Sequence, residues 1–128
     1  MHDHDRILRD AYDAFTHSNL ARYLSHCTPD ITFTVPGDNK VSGVYPREAF
    51  GPVLIAKVMQ ATAGTFVEVV LDVFTSDRGG IVRAHHSFDA NGKKQEYRTL
   101  HVYDIRDGKL ATFLEVPEDM AAFQRAWS

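Results

Sequence analysis

Two dipeptides in the second half of the chain, Asn91-Gly92 and Asp107-Gly108, constrain its fold most strongly. Both favour two-residue turns between antiparallel strands. The segments around them alternate between apolar and polar residues, as strands with one buried face do. We therefore predict an antiparallel meander with strands at residues 66–75, 81–89, 95–105 and 110–116.

The first half of the chain is typical of helices interrupted by one strand. Apolar residues recur at helical spacing within residues 3–17, and Asn19 is suited to cap a short second helix. Residues 31–35 alternate as a strand, and a third helix is predicted from Pro46 to the break at Gly64. Helices that precede a meander indicate an α+β fold, with the helices on one face of a bent sheet.

The composition is typical of a soluble single domain and argues against several classes of function. With 128 residues, the chain has the size of one domain, which we place at residues 1–128. Its net charge is −3 and it has no run of Lys and Arg, which argues against nucleic-acid binding. The single cysteine, Cys27, permits no disulfide within the chain, and no segment is typical of a signal peptide or a membrane span. We expect a cytoplasmic protein that contacts neither a membrane nor nucleic acid.

Two histidines are predicted to point into the protein from neighbouring strands. His86 shares its strand face with Val82 and Phe88, and His101 shares its face with aromatic residues such as Tyr97. A histidine among apolar neighbours is often a core residue whose ring bonds a backbone carbonyl or a water. Two such histidines at one end of a pocket favour a functional cluster, because imidazole titrates near neutrality and suits acid–base chemistry.

The orientation of the last strand leaves two alternatives open for Glu115. Regular pairing across Asp107-Gly108 would place Glu115 on the outer face, where it could pair with Arg98. A β-bulge after this turn would instead place Glu115 inward, beside His101. A carboxylate there would orient the histidine ring and raise its pKa.

Several segments resemble the SnoaL-like polyketide cyclases and ketosteroid isomerases of the nuclear transport factor 2-like superfamily. The resemblance extends over residues 6–127, and it implies a cone-shaped α+β barrel in which helices come first and a curved antiparallel sheet encloses an apolar pocket. The superfamily contains isomerases, cyclases, dehydratases, hydrolases and plain binding modules, so the fold does not identify the reaction. The segments that carry it are Ala14-Phe15, Ser18-Asn19-Leu20, Val35-Pro36-Gly37, residues 43–48 and residues 101–110.

The resemblance also implies roles for individual residues. His101 matches the position that holds a protonated acid in the isomerase oxyanion hole, and Tyr12 lies near the first-helix tyrosine that donates to the oxyanion. The isomerase's general-base aspartate is replaced by Val35, so steroid isomerisation is not expected. The catalytic candidates are His86, His101, Glu115, Tyr97 and Tyr12. The expected pocket-wall residues are Phe15, Phe33, Val35, Phe50, Leu54, Phe88, Thr99 and Phe113.

These features predict a cofactor-independent acid–base enzyme, a cyclase, dehydratase or isomerase. Its expected substrate is a small hydrophobic carbonyl compound, such as a polyketide or terpenoid intermediate. The alternative is a non-catalytic ligand-binding or dimerisation module of the same fold. We expect no metal and no organic cofactor, because the inward histidines lack three or four convergent ligands. We expect a homodimer through the outer sheet face, which would carry Val67, Val69, Leu71 and Val102.

Overall fold

The computed structural model describes residues 2–128 and shows helices followed by a curved sheet. Asn19 caps the second helix as expected, since its side chain accepts a hydrogen bond from the backbone N–H of Arg22. The helices within residues 2–128 include none with the length and hydropathy of a membrane span. The helices are α1 (His4–Thr16), α2 (Leu20–Ser25), α3 (Ala56–Thr62) and α4 (Met120–Ala126). The strands are β1 (Cys27–Val35), β2 (Gly43–Pro46), β3 (Val67–Thr75), β4 (Gly79–Ala90), β5 (Lys93–Arg106) and β6 (Lys109–Pro117).

The third helix is less regular than its sequence pattern indicates. A 3₁₀ turn at Arg47–Ala49 and a π-helical segment at Phe50–Ile55 precede α3. Pro52 lies in the π-helical segment and has no backbone N–H, so a regular α-helical ladder cannot run through it. The resulting wide turn places Phe50 and Leu54 in the interior.

The sheet is mixed and open, which corrects the expectation of an antiparallel sheet. Its strand order is β2-β1-β6-β5-β4-β3, and β1 pairs with β6 in the parallel direction. The four strands β3 to β6 form the predicted antiparallel meander. Strand β2, which was not expected as a strand, pairs antiparallel with β1. It was missed because Gly43 and Pro46 bound a segment of only four residues.

An irregularity in the β5–β6 pairing decides which residues of β6 face the interior. Asp104 pairs with Thr112 and Ile105 with Leu110, so one residue of β6, Ala111, is extra. Beyond this bulge, Glu115 pairs with His101 and is buried. The bulged alternative for the last strand is therefore confirmed, because a single extra residue inverts the alternation of all those that follow.

The helices pack on the inner face of the sheet, and the aromatic side chains between them form the core. Helix α1 lies close to β4, where a Cβ at Gly80 would overlap the side chain of Leu8. Helix α4 covers one end of the sheet and brings Trp127, which is buried, against the ring of Phe88. The polar side chains described next lie between these helices and the strands β3 to β6.

Candidate active site

A cavity of about 80 Å³ lies between the helices and the inner face of the sheet. All five catalytic candidates line it: Tyr12, His86, Tyr97, His101 and Glu115. Six of the eight expected wall residues also line it: Phe15, Phe33, Val35, Phe50, Leu54 and Phe113. Strand alternation and the bulge therefore place the candidates of β4, β5 and β6 on the wall of this cavity, where they meet Tyr12 of α1.

Two expected wall residues, Phe88 and Thr99, do not reach the cavity. Phe88 packs behind Trp127, with 4.3 Å between the ring centroids, and it is Trp127 that faces the cavity. Thr99 is fully buried between Tyr97 and His101 on the same face of β5. Its short side chain stops below the surface that these two larger neighbours form. Alternation predicted the correct strand face for both residues, but side-chain length and the position of α4 decide whether a side chain reaches the cavity.

One ring nitrogen of His101 belongs to a chain of tyrosine hydroxyls. His101 Nδ1 shares a hydrogen bond of 2.6 Å with Tyr12 Oη, and Tyr12 Oη lies 2.6 Å from Tyr103 Oη. Tyr103 Oη in turn lies 2.8 Å from Tyr23 Oη. Burial raises the pKa of all three tyrosines well above the usual value, so their hydroxyls stay protonated. These hydrogen-bonded hydroxyls hold the imidazole ring in place from the side of α1 and α2.

The other ring nitrogen of His101 faces Glu115. His101 Nε2 and Glu115 Oε2 are 3.5 Å apart, and neither atom has a hydrogen-bond partner among residues 2–128. Burial disfavours charge on His101, but the nearby carboxylates of Glu115 and Glu68 outweigh it and raise the pKa of His101. Burial likewise opposes charge on Glu115, but His101 and His86 lower its pKa below the ordinary value. The two side chains therefore favour an imidazolium–carboxylate pair.

Both ring nitrogens of His86 are engaged by neighbouring side chains. Nε2 lies 2.6 Å from Glu68 Oε2, and Nδ1 lies 3.0 Å from Tyr97 Oη. Trp127 Nε1 donates to Tyr97 Oη at 2.8 Å and can only donate. The arrangement that uses every donor has the Tyr97 hydroxyl donating to His86 Nδ1 and His86 Nε2–H donating to Glu68. Both nitrogens of His86 thus have partners, whereas His101 Nε2 has none among residues 2–128.

Glu68 is the functional candidate that the sequence reasoning missed. Its side chain is 7% exposed and lies on the cavity wall. The sequence does indicate this inward orientation, because Val67 and Val69 were assigned to the outer face and strict alternation places the residue between them inward. The stated reason for expecting no metal is also wrong, since Glu68, His86 and His101 converge with donor atoms within 4.8 Å of one another.

His85, next to His86 along β4, forms a similar pair on the opposite face of the sheet. His85 Nε2 lies 3.1 Å from Glu96 Oε1, and this pair is accessible to solvent. Alternation of the strand thus separates two neighbouring histidine–glutamate pairs, one in the cavity and one outside. The outer pair is a natural control for experiments on the inner one.

The curved open sheet, the helices on its inner face and the enclosed cavity form the α+β fold that is seen in NTF2-like proteins of known structure. The chain matches the SnoaL-like domain over residues 8–113 and belongs to that family. No curated protein is similar to the chain at the level of sequence.

Solved structures of similar proteins confirm the fold over nearly the whole chain. Bal32a, from a soil-derived mobile gene cassette, superimposes with a TM-score of 0.89 at 22% identity, covering 98% of this chain and 96% of Bal32a. A protein of unknown function with a cystatin-like fold from Xanthomonas campestris gives a TM-score of 0.87 at 23% identity, covering 100% and 99%. TerC, co-crystallised with polyporic acid, gives a TM-score of 0.82 at 17% identity, covering 96% of both chains. Identities this low support the shared fold and leave the reaction to be argued from the site.

Proposed function

We propose that the protein is an acid–base enzyme, a cyclase, dehydratase or isomerase, acting on a small hydrophobic carbonyl compound. The observation that supports this most is the pair of buried atoms, His101 Nε2 and Glu115 Oε2, at the wall of an aromatic cavity. Glu115 raises the pKa of His101, which stays a proton donor, and His101 lowers the pKa of Glu115, which stays a proton acceptor. All three reactions begin with removal of a proton next to a carbonyl group and stabilisation of the enolate oxygen.

The proposed proton transfers assign one role to each member of this pair. Glu115 Oε2 takes the proton from the carbon next to the carbonyl group. The C–H electron pair forms the C=C bond of the enolate, and the π pair of the C=O bond moves to the oxygen. His101 Nε2–H donates a hydrogen bond to that oxygen as its negative charge develops. Tyr12 Oη, bonded to Nδ1, fixes the orientation of the imidazole ring. Glu115 would then return its proton to another carbon in isomerisation, to a hydroxyl group that leaves as water in dehydration, or to the alkoxide formed when the enolate carbon attacks a second carbonyl in cyclisation.

The dimensions of the cavity support a compact ligand. Its volume of about 80 Å³ is well below the several hundred Å³ of many ligand pockets. Its wall is mostly aromatic and aliphatic, and the charged groups lie together on one side. We therefore propose a ligand of a single ring or a short chain with one carbonyl group, smaller than a multi-ring polyketide or terpenoid intermediate.

Enolisation of small cyclic ketones tests this function without knowledge of the natural substrate. We expect the wild-type protein to accelerate exchange of the α-hydrogens of cyclopentanone or cyclohexanone with D₂O, measured by NMR. His101→Gln should lose this acceleration, and His85→Gln, which alters only the outer pair, should keep it. Exchange no faster than in buffer, with the ketone shown to bind, would favour the binding-module alternative.

The outer face of the sheet carries apolar side chains that support a homodimer. Val67, Val69 and Leu71 of β3 are 51%, 48% and 41% exposed, and Val102 of β5 is half-buried. Contiguous exposed apolar surface is typical of protein–protein contacts.

We propose a homodimer through this face, with twice the 14.4 kDa mass of the chain in light scattering at micromolar concentration. Val69→Asp should yield monomers, whereas Met59→Asp, an exposed position on α3, should not. A monomeric wild-type protein would contradict the proposal.

A further inference from the structure

One carboxylate oxygen at the cavity wall lies between the imidazole rings of two histidines. Glu68 Oε2 is 2.6 Å from His86 Nε2 and 3.9 Å from His101 Nδ1. The three side chains come from three adjacent strands, β3, β4 and β5, so the sheet itself sets their relative positions. Each offers a donor atom within 4.8 Å of the other two, and each side chain is at least nine-tenths buried.

We propose that Glu68, His86 and His101 form a binding site for a divalent first-row transition-metal ion such as Zn²⁺, Fe²⁺ or Co²⁺. Two imidazoles and one carboxylate on the same side of an ion are a recurrent ligand set for these metals, and they leave positions open to a substrate. Bonds of about 2.1 Å place ligand atoms on the same side of an ion about 3.0–3.4 Å apart. Donor atoms now up to 4.8 Å apart must therefore close by up to about 1.8 Å, while Glu68 Oε2 and His86 Nε2, now 2.6 Å apart, must open slightly. Tyr12 Oη, now 2.6 Å from His101 Nδ1, must turn away from this nitrogen or become a further ligand.

The groups around these three residues are those that metal-bound histidines require. A ligating histidine usually donates its second N–H to a carboxylate, carbonyl or water, which fixes the ring. His101 Nε2 faces Glu115 Oε2 at 3.5 Å, and both atoms lack other partners in residues 2–128. With an ion on Nε2, the His86 proton would lie on Nδ1 and donate to Tyr97 Oη, which also accepts from Trp127 Nε1. The Tyr97 hydroxyl would then turn its own proton away from His86. A metal on His101 Nδ1 would leave the ring proton on Nε2, where it would bond Glu115.

Charge and ligand type both favour a transition metal at this position. Glu68 and Glu115 place two carboxylates against an apolar cavity, where buried charge is costly unless it is compensated. A divalent ion would balance the negative charges of both carboxylates while the two imidazoles stay neutral. Mg²⁺ and Ca²⁺ prefer sites made only of oxygen ligands, so imidazole nitrogens select against them. The position open to the cavity would take a carbonyl oxygen of the ligand, which the ion would polarise.

The metal proposal does not rest on the proposed proton transfers. A metal would use His101 Nδ1, whereas the proton transfers use Nε2 and need no ion. Ketone exchange by the chelator-treated protein therefore tests the proposed function separately from metal binding. A protein that binds the ion without exchange activity would support the site alone, and the reverse result would support the function alone.

Titration of the chelator-treated full-length protein with Co²⁺ tests the site directly. We expect one ion per chain, a visible ligand-field absorption of the bound ion, and a dissociation constant of about 10 µM or tighter. Zn²⁺ should displace Co²⁺, and excess Mg²⁺ should not. Glu68→Gln should weaken binding at least about tenfold, and Glu115→Gln should weaken it about 10- to 100-fold through the orientation of His101.

The outer histidine–glutamate pair supplies the matched control. Glu96→Gln removes a carboxylate 3.1 Å from His85 and should leave Co²⁺ binding unchanged. The N-terminal His2 and His4 could hold an ion independently, and such binding would be equal in wild type and Glu68→Gln. The proposal is overturned if no ion binds with a dissociation constant below about 100 µM. It is also overturned if the Glu68→Gln variant, shown to be folded by NMR, binds Co²⁺ as tightly as wild type.

Discussion

Replacement of Glu115 by Gln should lower the pKa of His101 and slow ketone exchange by at least about 100-fold. The carboxylate stabilises the imidazolium form of His101, so its removal leaves burial to favour the neutral ring. Exchange also loses its proton acceptor, since the Gln amide is not a base. Binding of the ketone should change little, because the amide keeps the shape of the carboxylate. A loss confined to turnover would indicate a role in the reaction itself.

NMR titration of the His101 ring measures the pKa change directly. His101→Asn assigns the signal, and Glu96→Gln, on the outer face, should leave the titration of His101 unchanged. An unchanged pKa in Glu115→Gln would contradict the coupling of the pair and favour the binding-module alternative.

The same substitution should change how the stability of the fold depends on pH. The pKa of His101 is raised above its ordinary 6.5, so its stabilising contribution is complete below that value and declines as pH rises through the raised pKa. The pKa of Glu115 is lowered below its ordinary 4.5, so its contribution is complete above that value and declines as pH falls through the lowered pKa. The pair should raise the free energy of unfolding of the wild-type protein most between about pH 4.5 and 6.5, and Glu115→Gln should lose this increase.

Replacement of Phe33 by Ala should destabilise the protein by about 3–5 kcal/mol. Phe33 is fully buried, and its ring packs between Phe50 and Phe113, with centroids at 4.5 and 5.6 Å. Truncation removes buried apolar surface and leaves a void that such a dense aromatic cluster fills only in part. Because Phe33 also lines the cavity, the surviving folded protein should accept larger ketones than wild type does.

Urea unfolding at one fixed protein concentration measures this effect. The midpoint should fall with little change in slope, since the extent of surface exposed on unfolding stays nearly the same. Met59→Ala, a truncation at a side chain 46% exposed on α3, should cost no more than about 0.5–1 kcal/mol. Equal losses in the two variants would show that the aromatic cluster is not a principal source of stability.

The success of the sequence reasoning followed from the strength of strand alternation. His86 and His101 were placed inward because each shares its alternating strand face with two or more apolar or aromatic residues, and pairing across Asn91-Gly92 is regular. Glu115 could not be oriented from alternation alone. Its position depends on the extra residue Ala111, and a bulge is decided by packing of the whole strand.

Other features depend on contacts between distant parts of the chain. Phe88 has the right orientation, but Trp127, directly after α4, covers it, and nothing local in the sequence indicates where that helix docks. The parallel pairing of β1 with β6 is likewise set by the assembled core and not by either strand alone. Glu68 differs from these cases, since alternation along β3 already predicts its orientation.

The parallel pairing of β1 with β6 also determines when the cavity can close during folding. Phe33 of β1 pairs with Phe113 of β6, and long loops between paired strands slow the formation of native contacts. Until β6 is in place, the apolar strand β1 has only the short strand β2 beside it. Helix α4 and Trp127, which directly follows it, come later still in the chain. Nascent chains that stop before β6 should therefore expose an unpaired apolar strand, and recruit chaperones or aggregate through it.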